Sequence, residues 1–119
     1  MTAGFVKLLV SDPERSRAFY EALGFERTQH EPPFIHLVWA GKVDLYLVAP
    51  PAQLKLEGRR GLGVLVGFRA EGPGALDELL LRAQAQGAHV EGPTVQPWHT
   101  REVVVTDPDG YRLNFIEPA

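Results

Sequence analysis

The feature that most constrains the fold is an internal repeat with a period of about 60 residues. The first copy opens with "GFVKLLV" (4–10), which reads as a strand. "SDPERSRAFYEALGF" follows. Asp12 suits an N-cap and Pro13 the first helical position, where proline's missing N–H costs no bond. Ser16, Phe19, Tyr20 and Leu23 fall at i, i+3, i+4 and i+7, one face of a helix. Gly24 suits the residue after its end. Three strands are then predicted: "FERTQ" (25–29), "FIHLVWA" (34–40) and "VDLYLVA" (43–49). Pro32 and Pro33 separate the first two, and Ala40-Gly41-Lys42 connects the last two as a short hairpin.

The order then recurs. "GVLVGFRA" (63–70) is a strand. "GPGALDELLLRAQAQG" is a helix, with Leu76, Leu79, Leu80 and Ala83 at helical spacing and Gly87 at its end. "HVEGPTV" holds a short strand, "REVVVT" (101–106) another and "YRLNFIE" (111–117) the last. Asp107-Pro108-Asp109-Gly110 is a turn in which proline fixes one φ and glycine supplies a positive one. The copies align through Gly24 with Gly87 and through "LVAP" (47–50) with "FIEP" (115–118). The expected class is α+β: two tandem βαβββ units, about 4–50 and 61–118, joined by a linker at about 51–60 within one domain, 1–119.

Composition narrows the function. At 119 residues and 45% hydrophobic the chain can bury a core unaided. It has no cysteine, which removes disulfides, thiolate zinc sites and a cysteine nucleophile. A reducing, cytoplasmic setting agrees with that. A net charge of -3 argues against nucleic acid or an anionic membrane as partner. No apolar run is long enough to span a bilayer. No nucleophile elbow, P-loop or dinucleotide fingerprint is present; "GLGVLVG" (61–67) is not followed by a helix at the proper point.

The duplicated units, with "VSDPERSRAFYEALGF" near the start and "DPDGYRLNF" near the end, resemble the vicinal oxygen chelate superfamily. This is the glyoxalase, bleomycin-resistance protein and extradiol dioxygenase group. The resemblance covers nearly the whole chain. It implies an open, cup-shaped mixed sheet around a central cavity, and a homodimer. It also implies four metal-ligand positions, one on the first and one on the last strand of each unit, usually filled by histidine and glutamate. Carried onto this sequence, those positions are Phe5, Tyr46, Leu65 and Asn114. Phe and Leu offer no lone pair, and a tyrosine and a neutral amide are poor partners for a divalent ion. The resemblance is therefore to the metal-free bleomycin-resistance type. "QPWHTREVVVTDPDGYRLNF" is similar to the C-terminal part of that group.

The expected activity is sequestration of a small or medium-sized organic ligand in an aromatic-lined cavity, with no metal, cofactor or catalytic residue. A glycopeptide antibiotic of the bleomycin class is one candidate ligand. Asn114 alternates with Arg112 and Ile116 on one strand face, and Tyr46 with Asp44 and Val48 in the matching place of the first unit. Trp98 follows a proline in a loop and offers a flat surface for stacking. Arg101 is a candidate partner for an anionic group. Phe34 and Trp39 are candidates for the cavity wall or the core, depending on the register of their hairpin. The ligand-binding candidates are thus Phe34, Trp39, Tyr46, Trp98, Arg101 and Asn114.

The rival reading is a metal-dependent lyase, isomerase or dioxygenase with a displaced site. It needs His36, His99 and a carboxylate such as Glu102 or Asp44 within coordination distance. His30, His36, His89 and His99 form no spaced ligand pair, and a hydrogen-bonded or solvent-facing imidazole accounts for each. A third reading, a module that binds a partner protein, requires a filled cavity.

Overall fold

The computed structural model describes residues 4–31, 34–56, 58 and 60–119. Pro32 and Pro33 of the first unit, and Glu57 and Arg59 of the linker, lie outside the described residues. The chain divides into two compact units between Arg60 and Gly61.

Unit 1 runs β1 (Phe5–Leu9), α1 (Pro13–Leu23), β2 (Glu26–Glu31), β3 (Phe34–Trp39) and β4 (Val43–Val48). Asp12 caps α1 by accepting from the Arg15 N–H at 3.2 Å. Gly24 ends it in the left-handed conformation, at φ 118°. This is the φ region where glycine has no steric penalty. The sheet order is β1-β4-β3-β2, with β1 parallel to β4 and the other pairs antiparallel. Leu8, Ile35, Leu37, Leu45 and Leu47 on the strands, and Val10 just after β1, are buried together with Phe19, Tyr20 and Leu23 of the helix. Each fully buried aliphatic side chain of this set stabilises the unit by roughly 1.5–3 kcal/mol.

Unit 2 repeats the plan with β5 (Val66–Arg69), α2 (Ala75–Ala85), β6 (Val90–Val95), β7 (Thr100–Thr106) and β8 (Arg112–Pro118). Its order, β5-β8-β7-β6, and its pairing senses match those of unit 1. Both units also carry a register shift on the third-ranked pair, at Arg27/Gln29 and at Glu91/Thr94. Strand β5 is shorter than the sequence suggests. Gly61 and Gly63 take positive φ, and the Val64 N–H donates to the Gly61 carbonyl, so residues 61–64 turn instead of pairing. Helix α2 begins late for a similar reason. Gly72 and Gly74 both have positive φ, and Gly74 is its N-cap without a side chain to cap it.

Leu113 and Phe115 of β8 and Val103 and Val105 of β7 are fully buried, as are Leu76 and Ala83 of α2. The β7–β8 turn is fixed by Asp107. Its Oδ1 accepts from the N–H groups of Asp109 at 2.9 Å and Tyr111 at 2.8 Å, and its carbonyl accepts from Gly110 at 3.0 Å. On β6, Gly92 lies so near its neighbour that an added Cβ would stand 2.7 Å from the Glu102 carbonyl oxygen. Among the described residues no helix is long and apolar enough to cross a membrane.

Candidate functional site

Alternation along each strand leaves one face of each sheet turned away from its own helix. In unit 1 that face is built around Tyr46. Across β3 its partner is His36, and across β1 it is Lys7. The Tyr46 ring stacks on the His36 imidazole at 4.7 Å and 14°. Phe34 lies against it at 5.0 Å, and Phe5 meets it edge-on at 5.6 Å and 88°. The Lys7 ammonium sits 5.7 Å above the Phe5 ring, within cation–π range.

His36 is held at both nitrogens. Nε2 lies 2.8 Å from Asp44 Oδ1, and Nδ1 bonds the Thr28 hydroxyl. A carboxylate only accepts, so Nε2 carries the proton, and in the neutral ring Nδ1 accepts from Thr28. Neither nitrogen of His36 is left for a metal or a substrate proton.

The same face in unit 2 is polar. Arg112, Asn114 and Ile116 of β8 lie opposite Thr106, Val104 and Glu102 of β7, and Gly67 of β5 lies beside Asn114. Glu102 Oε2 accepts from Thr100 Oγ1 at 2.5 Å and from the Trp98 indole N–H at 3.0 Å. These two bonds, Thr100's first, hold the carboxyl below its ordinary pKa, and Asn114 adds the weakest favourable contribution. That contribution is a poorly formed contact: the Asn114 amide nitrogen is buried and reaches Glu102 without a hydrogen bond of good geometry. Such a donor costs about 1–3 kcal/mol. Arg112 donates to Glu91 at 2.7 Å. Trp98 remains 63% exposed despite its bond to Glu102.

The six candidate residues therefore divide. Phe34 and Tyr46 join one ring cluster in unit 1. Trp98 and Asn114 flank Glu102 in unit 2. Trp39 and Arg101 join neither face. Trp39 shares parity with the buried Ile35 and Leu37 and packs on Phe25 at 4.9 Å, next to the α1 core. Arg101 shares parity with the buried Val103 and Val105. Its guanidinium donates to Glu117 at 2.9 Å and to Asp77 of α2 at 2.8 Å, and these two carboxylates raise its pKa. It is a link between strand and helix.

The displaced metal set is not assembled within either unit. His36 has Asp44 but no third donor, and His89 and His99 are exposed. Among the described residues no three of His, Asp and Glu gather closely enough to hold a metal ion. Thr28 and Gly67 had escaped the sequence reading as site residues, and Glu102 entered it only as a possible metal ligand of the rival reading. Thr28 reaches His36 only because of the bulge between Arg27 and Gln29. Glu102 is tied to Trp98 through the tight turn before β7. Gly67 matters for the side chain it lacks.

A model of the Glyoxalase/Bleomycin resistance protein/Dioxygenase superfamily matches residues 2–115, nearly the whole chain. The chain belongs to that superfamily. No curated protein sequence matches it. Among solved structures, an antibiotic-binding protein from Streptomyces sp. CB03234 is 26% identical, with a TM-score of 0.72 over 100% of this chain and 98% of that one. A bleomycin-binding protein complexed with bleomycin is 22% identical, with a TM-score of 0.71 over 100% of both chains. The fosfomycin resistance protein of Listeria monocytogenes, solved with Mn(II) and sulfate, is 15% identical, with a TM-score of 0.73 over 100% of this chain and 93% of that one. The last two likenesses attest the shared fold.

The four positions carried over from the resemblance match between the units by register. Lys7 lies opposite Tyr46 as Gly67 lies opposite Asn114, so Phe5 and Leu65, each two residues earlier, are matching positions. In unit 1 this pair is an edge-on contact between two rings. In unit 2 it is an exposed Leu65 and a neutral amide. Two side chains without lone pairs, a phenol and an amide do not fit a divalent metal that prefers imidazole or carboxylate.

Proposed function

We propose that this chain is a binding protein of the bleomycin-resistance type, which sequesters a small or medium-sized organic ligand and needs no resident metal. The observation that carries this reading is the contiguous ring cluster of Phe5, Phe34, His36 and Tyr46, two of which, Phe5 and Tyr46, stand where the resemblance implies metal ligands. Rings present large, stiff apolar area at low entropic cost, which suits retention of an aromatic or partly cationic guest. Sequestration requires affinity and no transition-state stabilisation. The antibiotic-binding relative at 26% identity supports the same direction. Glycopeptide antibiotics of the bleomycin class are the first candidates. The working form in this proposal is a cytoplasmic homodimer, supported by the run of exposed apolar residues Leu62, Val64 and Leu65.

The test is a thermal-shift screen of glycopeptide antibiotics and small aromatic cations, because a ligand that binds only the folded state raises stability by mass action. A hit should weaken by roughly tenfold or more on Tyr46→Ala, which removes the ring at the centre of the cluster. Elemental analysis of protein purified without chelator is the counter-test. One stoichiometric transition metal, lost together with a catalytic activity, would sink the proposal.

A further inference from the structure

The polar face of unit 2 carries an unsolved hydrogen-bond problem. Asn114 Nδ2 is a buried donor without a hydrogen bond of good geometry. Glu102, its diagonal neighbour on β7, takes well-formed bonds only at Oε2, from Trp98 and Thr100; the Asn114 amide reaches this carboxylate with poor geometry and contributes least to it. A donor and an acceptor that satisfy each other poorly thus stand side by side on one sheet face. Two further features make room for a guest. Gly67, paired beside Asn114, leaves open space: a Cβ there would meet nothing nearer than the Asn114 carbonyl at 3.9 Å. Trp98, exposed and anchored by its N–H to Glu102, offers its ring as a platform at the edge.

We infer that Gly67, Glu102 and Asn114, flanked by Trp98, form a subsite for a planar carboxamide, lactam or ureide group. The ligand N–H donates to Glu102 Oε1, and its carbonyl oxygen accepts from Asn114 Nδ2. A small rotation about the Cβ–Cγ bond of Asn114, a broad and soft torsion, turns the amide to its guest. The chemistry selects this class among the alternatives. A guanidinium or amidinium brings donors only and leaves Asn114 unsatisfied. A carboxylate brings acceptors only and faces the charge of Glu102, whose two existing bonds favour its ionised form. An ester accepts but cannot donate. This inference rests on the reading of the chain as an organic-ligand binder, and it supplies the polar group that such a ligand must carry.

Four isosteric probes test it on the full-length protein: benzamide, benzamidinium, benzoate and methyl benzoate. Benzamide is expected to bind about tenfold more tightly than any of the other three, a modest ratio for a half-exposed site. It should also shift the Asn114 side-chain amide resonances in a 1H–15N spectrum. Asn114→Leu and Glu102→Gln should each erase the preference. Gly67→Val should abolish benzamide binding without altering any polar group, since Gly67 has no positive φ to strain. Asn114→Asp should transfer the preference to benzamidinium, because two carboxylates then face a donor-only cation. Equal binding of the four probes, no binding of benzamide, or benzamide affinity unchanged by Asn114→Leu and Gly67→Val would overturn the assignment. If benzamide fails while an antibiotic still binds in a Tyr46-dependent way, this subsite is wrong and the broader reading survives. If no organic ligand of any kind binds, both fall.

Discussion

The two units share strand order, pairing senses and even the place of a bulge, yet their free faces differ in chemistry. Unit 1 presents Phe5, Phe34, His36 and Tyr46; unit 2 presents Glu102, Arg112 and Asn114 with Gly67 between them. Their helix-facing sides are alike: Leu45 and Leu47 in one, Leu113 and Phe115 in the other, all fully buried. The difference separates two pressures. Packing against a helix tolerates only apolar side chains of fitting volume. The other face is released from that demand and can take rings in one copy and hydrogen-bonding groups in the other.

Substitutions on the two sides of β8 should break the comparison most sharply. Phe115→Ala empties a fully buried position and should cost about 3–5 kcal/mol in urea unfolding. Asn114→Leu, one residue away, should leave stability equal or raise it, because it removes a buried donor without a hydrogen bond of good geometry. A large loss from Asn114→Leu would mean that the amide is a structural partner and that the two faces are not independent.

The turn that joins β7 to β8 ranks next. Asp107 is 5% exposed and accepts two backbone N–H bonds, so Asp107→Ala should cost roughly 2–3 kcal/mol. Unit 1 joins its third and fourth strands through Ala40 and Gly41, both at positive φ, with no such side chain. Ala40→Gly should therefore stabilise slightly, by about 0.5–1 kcal/mol, by relieving a left-handed alanine. Equal sensitivity of the two turns would contradict this assignment.

A smaller effect concerns Arg101. Its two ion pairs are solvated, so Arg101→Met should lower stability only slightly and leave ligand affinity unchanged. A fall in affinity would return Arg101 to the binding face. Smallest of all is the pH response of Glu102. Its folded pKa lies below its unfolded one, so its contribution is present above the ordinary glutamate value of about 4.3 and is lost as pH falls through the folded pKa. A 13C titration of the Glu102 carboxyl should show a midpoint below the ordinary glutamate value.

Much of this was legible in the residues. The repeat, the Asp12-Pro13 start, the Gly24 stop and the Asp107–Gly110 turn each follow from local chemistry, and the parity of β8 placed Asn114 opposite the core. Arg101 was equally legible, since it alternates with Val103 and Val105 on the helix side. Trp39 was not. "FIHLVW" is apolar on both parities, so only tertiary contacts reveal that Ile35, Leu37 and Trp39 take the core and Phe34 the other face. Thr28 could not be foreseen either, because a bulge changes which way a side chain points and leaves no mark in composition. The Trp98–Glu102 bond depends on the backbone path between them, where His99 takes a φ of 67°.

Gly92 gives the candidate subsite a hidden dependency. Because a Cβ added at Gly92 would stand 2.7 Å from the Glu102 carbonyl oxygen, and Gly92 has a φ of 94°, the freedom of position 92 to drift is tied to position 102. A lineage that replaced this glycine would have to push β7 outward at the carboxylate that holds Trp98. A residue that meets no ligand would then retune the selectivity of those that do.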